Sequence, residues 1–329
     1  MKVYENISLK EYNTFGIDVR ARRLIVLEPN DTMPLVEGEM LVVGAGSDML
    51  FTQDYEGTVV VLARDTGNQA TRQSDNLVTA WAGMAMDDLV QWTLNQGLYG
   101  LENLSAIPGT VGAAAVQNVG AYGIEAKDFI EQVEAYDLKE KHLCTIGNAD
   151  CHFSYRHSLF KKYPGRYLIL HVTFRLHEEY VPNLSYKALE GLPHDTAQQL
   201  RDSITTLRWS KLPRPEEHGS AGSFFKNPVV DSETYLRLKA DNPDMPDAHP
   251  VESDELGVRS YKLSAGWLID RAGWKGRTMG RAGVWPKNAL VLYNTGGCTG
   301  PEVMVLANAI QQDVKLKFGV VLDPEAIII

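Results

Sequence analysis

The chain has 329 residues, 44% of them hydrophobic, and a formal net charge of −10. That length supports a sizeable core and two or three domains. The acidic balance argues against a nucleic-acid partner, which needs a basic stripe, yet it leaves room for an anionic ligand held by a few local cations.

The N-terminal run Met1-Lys2-Val3-Tyr4-Glu5-Asn6 lacks the apolar stretch of a signal peptide. No apolar run reaches spanning length, so a cytoplasmic protein with no membrane partner is expected. In chain order, strands are predicted at 23–27, Met40–Val43, 58–62 and 77–82, separated by turns. Apolar Met86, Leu89, Val90 and Leu94 have helical spacing over 86–96, and Gly97 ends that helix. Residues 132–137 and 167–176 read as strands, and 200–209 as a helix with Arg208 inside its end and Lys211 just past it. Pro213 and Pro215, followed by Glu216-Glu217-His218-Gly219, read as a hinge. Beyond it, Ser232–Asp241, 265–273 and 302–318 look helical, and 289–293 looks like a strand. The mixture is α+β rather than alternating βα units.

The most informative stretch is Ser105-Ala106-Ile107-Pro108-Gly109-Thr110-Val111-Gly112-Ala113-Ala114-Ala115. Its glycines and alanines leave backbone bare, and Pro108 fixes one φ and removes a donor. Such backbone lets a flat or anionic ligand lie against N–H groups; the plainer reading is a loop closing a tight turn. A second small-residue block, Gln117-Asn118-Val119-Gly120-Ala121-Tyr122-Gly123, follows, so the ligand should be long. A third, Gly44-Ala45-Gly46-Ser47-Asp48, follows the strand Leu41-Val42-Val43. It is not the dinucleotide fingerprint, because Met49 stands where the third glycine belongs and no long helix follows. What remains is a strand–loop–strand unit whose N–H groups and Ser47 hydroxyl suit a diphosphate.

The three cysteines, Cys144, Cys151 and Cys298, have no metal or disulfide spacing, and no transition metal is expected. Cys151 reads as an inert thiol.

These blocks carry a resemblance. Tyr12-Asn13-Thr14-Phe15-Gly16, the 44–48 loop, Gly100-Leu101-Glu102-Asn103-Leu104 and Ile107-Pro108-Gly109 resemble the flavin-binding half of the UDP-N-acetylenolpyruvoylglucosamine reductases. Phe153-Ser154-Tyr155-Arg156-His157-Ser158, Gly222-Ser223-Phe224-Phe225-Lys226-Asn227-Pro228 and Asp323-Pro324-Glu325 continue it in order over nearly the whole chain. The resemblance implies an FAD-binding fold of the vanillyl-alcohol-oxidase type in two α+β subdomains (1–65 and 66–211) and a C-terminal α+β substrate-binding domain (212–329). It implies noncovalent FAD on Tyr12, Asn13, Thr14, Gly44, Ala45, Gly46, Ser47, Asp48, Ile107, Pro108, Gly109, Thr110, Gly112, Ala113, Gln117, Asn118, Gly120, Ala121, Tyr122 and Gly123. It also implies NADPH as donor, UDP-N-acetylenolpyruvoylglucosamine as substrate and a monomer.

Ser223 alone reads as a turn or cap residue; the resemblance makes it the serine that protonates substrate carbon. Arg156 alone is equally a surface charge, although its planar fork suits a carboxylate. The resemblance places it with Glu325 in the active site, the glutamate acting protonated or through a water or cation. One departure is Ile327, where the family often has arginine. Tyr155, Tyr186, Lys211 and Asn227 match substrate-binding positions, and Tyr186 marks the subtype in which a tyrosine-bearing loop covers the substrate. With no dinucleotide fingerprint, the nicotinamide and the nucleotide sugar are expected to share one cleft in turn. A rival reading is another FAD-dependent oxidase of this fold, acting on an alcohol or sugar lactone. Such an oxidase has no reason to carry Gly222-Ser223-Phe224-Phe225 or Pro324-Glu325.

Overall fold

A computed structural model describes residues 1–29, 31–33, 38–64, 67, 69–251 and 260–329. The chain forms two compact units: Met1–Ile7, Ala21–Ala45 and Tyr55–Trp209 in the first, and Ser8–Arg20, Gly46–Asp54 and Ser210–Ile329 in the second.

Among the described residues, the first unit holds two larger sheets and the short pair Gly120–Ala121 with Ile124–Glu125. One has the strand order Lys2–Ser8, Arg20–Leu27, Tyr55–Leu62, Met40–Val43, the last three parallel. Tyr55–Leu62 is central, and its near-continuous burial is what a strand between two neighbours needs. The other sheet is antiparallel, in the order His142–Gly147, Ile130–Asp137, Tyr167–Arg175, Leu77–Trp81, Ala70–Arg72. Alternation along Ile130–Asp137 sends Val133 and Ala135 into the core beside Val172 and Phe174. Helices Met86–Asn95 and Val111–Gln117 add Met86, Leu89, Val90, Val111, Ala114 and Ala115 to that core.

Here the sequence expectation is corrected. Part of the Gly/Ala block is a helix, Val111–Gln117, and not a bare loop. Thr110 caps it by accepting from the Ala113 N–H at 3.3 Å, and Asn118 ends it in the left-handed conformation. The small residues serve packing there: a side chain at Gly112 would meet the Ala82 Cβ at 2.8 Å.

In the second unit, Ser220–Ser223 pairs with Val291–Asn294, which is followed by Ala282–Val284 and Thr278–Met279. Helix Gly300–Phe318 contributes Val303, Leu306, Ala307, Ile310 and Val314 to the buried interior, at helical spacing. It begins two residues before the expected start, because Thr299 and Glu302 form a capping box and Pro301 fits the first turn. Likewise helix Ala197–Lys211 starts earlier than expected and includes Lys211. The C-terminal strand Ile327–Ile328 runs parallel to Met49–Leu50.

Candidate active site

The flavin-loop residues of the first unit converge. Gly44 follows the strand Met40–Val43, and a Cβ there would lie 2.8 Å from Thr110 Oγ1 and 3.0 Å from the Ala113 Cβ. The 44–45 turn and the 109–113 segment therefore touch through bare backbone. Pro108 is exposed, and Gly109 has φ +145°, a conformation side chains rarely adopt. The segment is held from below, where Met86 N–H donates to the Gly109 carbonyl (3.0 Å) and Val111 N–H to that of Met84 (2.9 Å).

In the second unit, Tyr12-Asn13-Thr14 meets Gly46. Gly46 has φ +63°, and a Cβ there would fall 2.2 Å from the Tyr12 carbonyl, so only glycine fits. Thr14 N–H donates to the Gly46 carbonyl (3.1 Å), and its hydroxyl donates to that of Ser220 (2.6 Å). Asn13 is buried; its amide donates to Leu9 and Ile17 carbonyls and accepts from the Ile17 N–H. Asn118 is likewise engaged with Glu125, the Ser154 carbonyl and the Lys127 N–H. Both asparagines shape their loops from within. The N–H groups of Ala45 and Gly46 donate to no described residue. Each is a backbone donor of the kind a diphosphate takes.

Arg156 lies in the first unit on a two-residue turn closed by reciprocal Ser154 and His157 backbone bonds of 3.1 and 3.0 Å. Its φ is +54°, a strained value for a non-glycine residue. Its guanidinium donates to the Gly120 carbonyl at 3.0 Å and lies 5.3 Å from the Tyr155 ring centroid. The second small-residue block therefore aims this arginine. Tyr186 is exposed, which excludes simple core packing, and its ring meets Tyr122 edge-on at 5.3 Å.

Ser223 ends the strand Ser220–Ser223, next to Gly222 at φ +67°, where the register with Val291–Asn294 is irregular. Phe224 and Phe225 are fully buried and pack edge-on at 5.1 Å, anchoring the backbone beneath the serine. The Ser223 hydroxyl bonds to no described residue, so it caps nothing. Glu325 is half-buried; its N–H donates to the Phe224 carbonyl at 2.8 Å, and Pro324 bridges to Phe225. Asn227 accepts from the Ala265 N–H at 3.0 Å, fixing the start of helix Ala265–Arg271. Lys211 is exposed and forms no ion pair with a described residue. Ile327, where the family arginine is expected, is exposed and donates its N–H to the Asp48 carbonyl at 2.9 Å. A cavity of about 1200 Å³ in this unit touches Asn13 and Thr14, but neither Ser223 nor Glu325 lines it.

Burial pushes the Cys151 thiol up to about 12 and Cys298 up to about 11, so both thiols are inert at neutral pH. Sequence reasoning alone does not single out Asp87 and Arg208, which hold Ala106. Ala106 has φ +56° and is buried, a conformation that costs alanine about 1–2 kcal/mol. The legible signal is the seven-residue spacing of Arg201 and Arg208, which puts both on one helix face.

Comparison with known proteins matches an FAD binding domain to residues 37–144. It matches the UDP-N-acetylenolpyruvoylglucosamine reductase C-terminal domain to residues 214–329. An FAD-binding α+β part ahead of a smaller α+β domain defines a flavoprotein. A UDP-N-acetylenolpyruvoylglucosamine reductase of Pseudomonas aeruginosa is 44% identical, covering 99% of this chain and 98% of its own length. One of Paraburkholderia phymatum is 42% identical over 97% of this chain and 95% of its own. The chain belongs to the UDP-N-acetylenolpyruvoylglucosamine reductase family. A solved reductase of that name from Thermus caldophilus shares the fold, with TM-score 0.69 at 24% identity over 100% of this chain and 99% of that one.

Proposed function

We propose that the chain reduces the enol ether of UDP-N-acetylenolpyruvoylglucosamine to UDP-N-acetylmuramate with NADPH, a step of peptidoglycan precursor synthesis. The observation that carries this reading is the Ser223 hydroxyl. It is bonded to no described residue, stands on an anchored irregular strand end, and lies one residue from the backbone bond to Glu325.

The 12–14, 44–48, 107–113 and 117–123 segments would hold FAD noncovalently; once reduced by NADPH, the flavin would supply a hydride for the terminal enol carbon. Negative charge then spreads into the adjoining carboxylate. Arg156 holds that carboxylate with its fork, its direction set by the Gly120 carbonyl. Glu325 assists there, its backbone fixed by the bond to the Phe224 carbonyl. Ser223 Oγ delivers the proton to the neighbouring carbon. Lys211 and Asn227 address the diphosphate and sugar, and Tyr155 and Tyr186 close over the substrate. Residues 1–65 and 66–211 serve as the two FAD-binding subdomains and 212–329 as the substrate domain. The enzyme works in the cytoplasm as a monomer, without nucleic-acid or membrane partners.

An anaerobic absorption experiment tests this. The protein should be yellow, bleach on NADPH addition, and recover its colour only when UDP-N-acetylenolpyruvoylglucosamine follows. Recovery with oxygen and an alcohol turnover instead would favour the oxidase reading.

A further inference from the structure

Ala106 stands immediately before Ile107-Pro108-Gly109, and both of its backbone polar groups are held by charged side chains. Its N–H donates to Asp87 Oδ1 at 2.6 Å, and its carbonyl accepts from Arg208 Nε at 3.1 Å. These groups belong to the two peptides that flank one Cα, so pinning both fixes φ and ψ together. The anchors are themselves braced. Arg201 grips Asp87 through two bonds of 2.5 and 2.9 Å. The Arg208 charge also acts on Tyr122, whose ring meets Tyr186. Burial would raise the Asp87 carboxyl, but Arg201 and the Ala106 N–H outweigh it and hold the group below its usual range. The other end of the segment is tied independently by Met84 and Met86.

We infer that Asp87 and Arg208 are positioning residues: they lock Ala106 in its left-handed conformation and so set where the 107–109 backbone stands for the flavin. This rests on the reading of that segment as an FAD seat. A charged clamp is needed because alanine, unlike glycine, resists this conformation.

The test uses the full-length protein stripped of flavin and titrated with FAD. Arg208→Met should weaken FAD binding about tenfold or more and alter the visible circular dichroism of the bound flavin. Adding Ala106→Gly to Arg208→Met should recover most of the lost affinity, because glycine takes the left-handed conformation without a clamp. A role limited to general packing would give no such rescue. Asp87→Asn, which keeps side-chain volume, should weaken binding in the same direction; it decides the question if Arg208→Met does not fold. Wild-type affinity and dichroism in both clamp variants would overturn the proposal, as would the absence of rescue by glycine. A wild-type protein that takes up no FAD would instead remove the flavin reading beneath it, and that outcome is recognised because no variant is then needed to see it.

Discussion

Glu325 is joined to the Ser223 strand end through its own backbone: its N–H donates to the carbonyl of Phe224 at 2.8 Å, the residue that follows the serine. The C-terminal segment is therefore stitched to the motif Gly222-Ser223-Phe224-Phe225, and Lys226 N–H extends the stitch to the Asp323 carbonyl at 2.9 Å. Two stretches about a hundred residues apart in sequence are held in fixed register by main-chain bonds.

Flavin should leave the protein on acid precipitation. No histidine or cysteine lies in the 44–48 or 107–113 loops to form a covalent link. Absorbance at flavin wavelengths should partition fully into the supernatant; colour retained on the pelleted polypeptide would contradict this.

Gly46→Ala should be severely damaging. The new methyl would sit 2.2 Å from the Tyr12 carbonyl, in a left-handed residue. The nearest atoms are all backbone of Tyr12 and Asn13, with no flexible side chain to yield, so a loss of about 3 kcal/mol or more is expected from strain of this kind. Chemical denaturation of the variant and of wild type measures it. Gly38→Ala is the control: it shares a positive φ but has no atom of a described residue within 4 Å of the added Cβ, and it should cost clearly less.

Lys211→Met should raise the KM for UDP-N-acetylenolpyruvoylglucosamine about tenfold while leaving thermal stability near wild type, because this cation is exposed and makes no ion pair with a described residue. Steady-state kinetics and a melting curve decide it. An unchanged KM would make Lys211 a solvated helix-end charge.

Glu302 is held down to about 2 by hydrogen bonds from Arg281 and from the N–H and hydroxyl of Thr299. Its folded value lies below its ordinary 4.5. Its contribution to stability is therefore complete above that ordinary value and disappears as pH falls toward about 2. The melting-temperature difference between wild type and Glu302→Gln should be largest near neutral pH and shrink through that acid window. A difference independent of pH would refute the assignment. The group is partly open to solvent, so the effect should also weaken with added salt.

Much of this architecture is legible from residues. The strand expected at 132–137 lies within Ile130–Asp137, and the helix expected over 86–96 matches Met86–Asn95 to one residue, because each element buries one face against a core. The helix Val111–Gln117 escaped detection because Gly112 and three alanines carry almost no periodic signal; Thr110 was the clue, a capping residue in front of them. Catalytic candidates were visible through motifs, since their neighbours (Phe224, Phe225, Gly222) are constrained by packing. The Ala106 clamp was not visible, because it joins residues 87, 106 and 208 that only the tertiary fold brings together. The inward use of Asn13 and Asn118 was hidden for the same reason.

The central claim is that Ser223 supplies the proton, and stopped-flow absorbance of Ser223→Ala in separate half-reactions tests it most directly. Flavin bleaching by NADPH needs no proton from this hydroxyl, so it should proceed near the wild-type rate. Reoxidation by UDP-N-acetylenolpyruvoylglucosamine should slow by about 10²–10⁴-fold, the usual scale of general-acid catalysis. If both half-reactions slow together, or neither does, Ser223 is structural and the proton comes from elsewhere.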